Sequence, residues 1–99
     1  MAQLSDSEIR QALQELPGWV NQDGKLTKSF SHASFPEAIA FVDAVAQVAE
    51  VANHHPDIDI RYSTITLSLM THDQGGITHK DVGLATQVEA IRKKVGVPA

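Results

Sequence analysis

Three of the five histidines in this chain stand where acid–base chemistry is possible. His54 and His55 are adjacent, with Glu50 and Asn53 before them and Pro56 directly after. His72 closes a later β-rich run, flanked by Thr71 and Asp73, with Asp81 further on. Imidazole exchanges protons near neutral pH, and a nearby carboxylate can hold it in one orientation. One ring of the pair could move a proton while the other grips a substrate, with His72 facing them as a second proton-transfer group. The plainer roles are a helix-end imidazole favoured by the helix dipole and, for His72, a solvated loop residue. Glu50 and Asp81 could orient the rings or hold substrate nitrogens; their structural roles would be a solvated helix acid and a helix cap. Tyr62 reads first as a wall of the fold and second as a substrate contact. His32 and His79 lack comparable surroundings and read as structural. Histidines with acids could hold zinc, but no His-Glu-x-x-His spacing is present and no metal is expected.

Composition narrows the classes. The 99 residues make one domain, 1–99, with a modest core. A net charge of -4 argues against direct binding of nucleic-acid phosphates. The Lys93-Lys94 pair suits a helix C-terminus instead. With no cysteine, disulfides, thiolate metal sites and a cysteine nucleophile are excluded. No apolar signal core opens the chain and no segment reaches membrane-spanning length, so the expected setting is cytoplasmic, with no membrane partner.

The elements that must position these residues follow from caps and periodicity. Ser5 and Glu8 form a capping box, with Leu4 and Ile9 spaced as a hydrophobic staple; Ile9, Ala12, Leu13 and Leu16 give a helix one apolar face, and Pro17-Gly18 ends it. Trp19-Val20-Asn21 reads as a strand, Asp23-Gly24 as a hairpin turn, and Lys25 to His32 as the return strand. Ser34 and Glu37 form a second capping box, opening a helix from Phe35 to about Val51. Phe35, Ile39, Val42, Val45, Ala46 and Ala49 make one apolar stripe on it; Phe41, Ala44, Val48 and Val51 make another, expected to meet a second subunit. Pro56 stops the helix. Ile58, Ile60 and Tyr62, then Ile65, Leu67 and Leu69, have strand period. Thr78 caps the last helix with Asp81 in the box position, and Gly96 and Pro98 end it. The Gly75-Gly76 pair lacks the spacing of a phosphate loop. The order is αββαββα: an α+β fold in two layers, a four-stranded antiparallel sheet with three helices packed on one face.

The run Glu50-x3-His54-His55-Pro56-x5-Tyr62-x9-His72-x8-Asp81 resembles the motif of the pterin-4a-carbinolamine dehydratases. Pro17-Gly18-Trp19, the 35–51 helix and the Thr71 to Asp81 segment are similar to that family's pattern too, so the likeness spans nearly the whole chain. It implies a two-layer α+β fold. It also implies a hydro-lyase that removes water from 4a-hydroxytetrahydrobiopterin to give quinonoid dihydropterin, in tetrahydrobiopterin recycling. No cofactor is implied. By the resemblance His54 and His72 carry acid and base work and His55 binds and orients the pterin. Glu50, Asn53, Pro56, Tyr62, Thr71, Asp73 and Asp81 bind substrate or support the site. A homodimer or homotetramer through the 35–51 helix and the sheet edge is implied. Some members act as dimerisation partners of a transcription factor or as catalytically silent assembly proteins. Asn53 stands where the family often has an acid; it keeps hydrogen bonding and loses charge.

Overall fold

The two-residue Asp23-Gly24 turn joins the first strand pair: both residues have positive φ, 53° and 82°, as a type I′ hairpin requires. A computed structural model describes residues 2–97 of the chain. In order it contains α1 (Asp6–Leu13), β1 (Val20–Gln22), β2 (Lys25–Ser31), α2 (Phe35–Ala52), β3 (Asp57–Arg61), β4 (Thr64–Leu69), a 3-10 turn (His72–Gln74) and α3 (His79–Val95). All strand pairs are antiparallel, in the order β1-β2-β4-β3, so β3 is an edge. The second hairpin closes on Tyr62-Ser63, with Tyr62 at φ 51°, an uncommon position for a bulky ring.

Alternation builds the core. Leu26 and Phe30 of β2 and Ile65, Leu67 and Leu69 of β4 are buried against Phe41, Val45 and Ala49 of α2 and Leu84, Ala85 and Val88 of α3. The opposite sheet face is polar, and cross-strand hydroxyls pair there: Thr27 with Ser68, Ser29 with Thr66. The α+β architecture with helices on one face is the one expected from the element order. Among the described residues no helix is long and apolar enough to cross a membrane.

Several local expectations are corrected. The capping boxes of α1 and α3 are complete, but at α2 only the Ser34 half forms, its hydroxyl accepting from the Glu37 N–H. The two stripes expected on α2 do not stay separate. The buried line is Ala38, from neither stripe, with Phe41 from one and Val45 and Ala49 from the other, because a straight helix meets the sheet along one ridge. Phe35 and Val51, one from each expected stripe, are exposed. Helix α1 ends at Leu13, and Leu16 is buried from the turn that follows. Lys28, which interrupts the apolar run of β2, is on the inner face and buried. Gly96 ends α3 in a left-handed conformation; Pro98 lies outside the described residues.

Candidate active site

The end of α2 aims the histidine pair. Asn53 adopts φ 50°, ψ 43°, the left-handed conformation that glycine and asparagine tolerate best. Its N–H donates to Glu50 O at 3.1 Å and the His54 N–H donates to Ala49 O at 3.0 Å, the two reversed bonds of a Schellman motif. Asn53, one turn ahead of Pro56, therefore stops the helix; half-buried Pro56 leads the chain out into β3.

The reversal sends the two rings to different acids. His54 Nε2 donates to Asp81 Oδ1 at 2.5 Å, and His55 Nε2 donates to Glu50 Oε1 at 2.7 Å. A carboxylate only accepts, so each ring carries its proton on Nε2, and neither Nδ1 has a hydrogen-bond partner among the described residues. The two pairs differ in setting. Asp81 is fully buried at 0% exposure and the His54 side chain nearly so, whereas His55 and Glu50 are exposed. Asp81 Oδ2 also accepts from Thr71 Oγ1 and from the Thr78 N–H, both at 2.9 Å.

The third station is held from behind. A bridge between Thr71 and Gly76 closes the loop that carries His72 and Asp73. Leu4 N–H donates to Ile77 O and Gln3 Nε2 donates to Gln74 O, tying the N-terminal segment across this loop. Gly76 leaves room for the Gln3 side chain: a Cβ there would stand 2.6 Å from its amide oxygen and push the flexible amide aside. The His72 ring has no hydrogen-bond partner among the described residues, so both its nitrogens are open.

A cleft of about 390 Å³ is lined by His54, His55, His72, Asn53, Asp73 and Thr71, together with Met70 and Lys80. The three histidine stations singled out from sequence thus share one cleft. Glu50 and Asp81 stand behind their histidines. Tyr62 is not brought to the cleft within this chain: it sits exposed in the hairpin at the far end of the five-residue strand β3. That length is about 16 Å at the usual strand rise. Sequence reasoning missed Met70 and Lys80, although Lys80 adjoins Asp81 on the first turn of α3. His32, as expected, is apart from the site: its ring packs on Phe41 with centroids 4.9 Å apart. His79 is exposed at the first position of α3.

A two-layer α+β chain with a histidine–carboxylate cleft at the end of its central helix defines a narrow class of protein. The chain belongs to the pterin 4 alpha carbinolamine dehydratase family, whose family model matches residues 2–91. A relative from Roseiflexus sp. (strain RS-1), provisionally named pterin-4-alpha-carbinolamine dehydratase, is 57% identical over 88 residues, 89% of this chain and 95% of its own. The crystal structure of a transcriptional coactivator/pterin dehydratase from Brucella melitensis is similar with a TM-score of 0.86 and 35% identity, over 90% of this chain and 97% of that one. A pterin dehydratase-like RuBisCO assembly factor of the alpha-carboxysome shares the fold at a TM-score of 0.60 and 24% identity, over 74% of this chain and 84% of that one.

Proposed function

We propose that this chain, acting as a single domain in the cytoplasm, dehydrates 4a-hydroxytetrahydrobiopterin or a close 4a-hydroxytetrahydropterin to the quinonoid dihydropterin, in tetrahydrobiopterin recycling. The carrying observation is the convergence of His54, His55 and His72 on one cleft in a chain of this family. The C4a–O bond breaks as a protonated imidazole donates to the leaving hydroxyl, which departs as water. A neutral imidazole or water takes a proton from a ring nitrogen, so no electrons are gained or lost overall. His54 and His72 are the proton-transfer pair: His54 because Asp81 fixes its tautomer, His72 because both its nitrogens are open. His55, held by exposed Glu50, binds and orients the pterin, with Asn53 and Asp73 beside it. The chemistry calls for no metal or redox cofactor.

The same reading includes a homodimer or homotetramer through α2 and the sheet edge. Its support is apolar surface: Val51 on α2 is 90% exposed, and Ile58 and Ile60 of β3 are exposed although they share the face of buried Leu67 and Ile65. Light scattering checks this, and a strict monomer at micromolar concentration would remove it. That surface also favours a second reading, a non-catalytic partner protein acting as a transcriptional coactivator or assembly factor. The deciding experiment is stopped-flow dehydration of freshly generated 4a-hydroxytetrahydropterin. Changing His72 to Ala in a folded chain should slow the enzyme by about 100-fold or more, the usual worth of a general acid or base. Equal rates with and without His54 and His72 would leave only the partner reading.

A further inference from the structure

Resting on that reading, we propose that Thr78 is a positioning residue for the reaction: through Thr71 and Asp81 it holds His54 with Nδ1 free for the substrate. Thr78, Thr71 and Asp81 are all buried, and their donors can be ordered without ambiguity. Thr71 spends its proton on Asp81 Oδ2 at 2.9 Å. In the 2.7 Å contact between the two hydroxyls, Thr71 must therefore accept and Thr78 must donate. Thr78 also donates its N–H to Asp81 Oδ2, at 2.9 Å, and accepts from the Lys80 N–H at 3.2 Å. The chain of donors runs Thr78 to Thr71 to Asp81, and His54 Nε2 completes the carboxylate from the other side.

The capping box of α1 supplies the control within the same molecule. Ser5 and Glu8 make the reciprocal bonds of a box, in the open and with no onward connection. Capping alone asks only for a side-chain oxygen that accepts, and Asp or Asn serves as well as Thr. At position 78 an aspartate could not donate to Thr71 and would set a second negative charge beside Asp81. The α3 box needs a hydroxyl because it also has to aim an imidazole.

Two variants test this, each read twice. Thr78→Val removes the hydroxyl at nearly constant shape, and Thr71→Val breaks the same chain while leaving the cap on Lys80 intact. The first readout is the tautomer of His54 by nitrogen NMR on the free protein, which needs no substrate. The second is the division of effect between kcat and KM for the 4a-hydroxytetrahydropterin. Both variants should show mixed His54 tautomers and a fall in kcat of about tenfold or more, with KM little changed; Thr78→Ser should restore both. A His54 signal unchanged in both valine variants overturns the proposal, whatever happens to melting temperature. A shifted tautomer in a protein that never dehydrates pterins would sustain the positioning role and remove the reaction instead.

Discussion

Helix α3 carries two buried carboxylates, and they do different work. Glu89 accepts from Lys28 Nζ at 2.8 Å, Trp19 Nε1 at 2.9 Å and Arg92 Nε at 2.7 Å. Lys28 reaches on to Pro17 O and Arg92 to Val97 O, so one acid fastens β2, the turn before β1 and the end of α3. Every partner there is a cation or an indole, packed inside the fold. Asp81 is as well supplied with donors, but one is an imidazole that lines a cleft. Burial and hydrogen bonding do not separate a fastening from a site. The separation comes from what the carboxylate holds: an imidazole that lines a cleft, or groups enclosed in the core.

Breaking the two carboxylates should give opposite profiles. Glu89→Ala leaves Lys28 and Arg92 buried without a counter-ion, a loss of about 3–5 kcal/mol, a large share of the stability of a small chain. Urea unfolding should show this as a large fall in midpoint, and a midpoint like the wild type's would refute the fastening role. Asp81→Asn should cost less, about 1–3 kcal/mol, because the amide still fills the space. Its NH2 group, however, would face the His54 Nε2–H if the amide oxygen stays with Thr71 and Thr78. The ring would have to give up that proton and present a protonated Nδ1. Dehydration should then fall by about 100-fold while the chain stays folded.

The pH dependence sharpens the contrast. Burial works to raise the Glu89 carboxyl above its ordinary 4.5, but the hydrogen bonds from Lys28, Arg92 and Trp19 outweigh it and hold the group low. A carboxyl depressed in the folded state adds stability that is fully present above its unfolded value and is lost as pH falls through the folded one. Stability should therefore decline below about pH 4.5, and more steeply in the wild type than in Glu89→Gln. Glu8 is also held low, by the Ser5 N–H and hydroxyl, and both proteins share it, so their difference isolates Glu89. Parallel acid limbs in urea titrations would dismiss the Glu89 network as the source.

Much of this was legible in the chain. The αββαββα order follows from caps and from the two periodicities, which are local signals. Glu50 and His55 meet across a helix end and can be paired by spacing. Lys28 could not be read so easily: a lysine in an apolar run looks like a break in the strand until Glu89, distant in sequence, is seen beside it. The ridge chosen on α2 depends on how the sheet twists beneath the helix, which periodicity does not encode. Tyr62 has the spacing of the motif but stands at the other end of β3, because a strand carries its two ends apart whatever the pattern says. Asn53 lacks the charge that the family often carries at its position, but its larger part is its backbone.

That part predicts the smallest effect. Asn53→Gly should keep both stability and rate, because glycine takes φ 50° freely, while Asn53→Ala should cost about 1 kcal/mol from the left-handed conformation. On a chain this size that is a melting-temperature drop of about 4–8 °C. The turn aims His54 at Asp81 and touches nothing in the Glu89 network. Asn53→Ala and Glu89→Gln should therefore add in stability, whereas Asn53→Ala and Asp81→Asn should not, since each loosens the same ring. Equal loss of rate in the glycine and alanine variants would shift the role from the backbone to the amide, and Asn53 would then act from the cleft wall as a substrate contact.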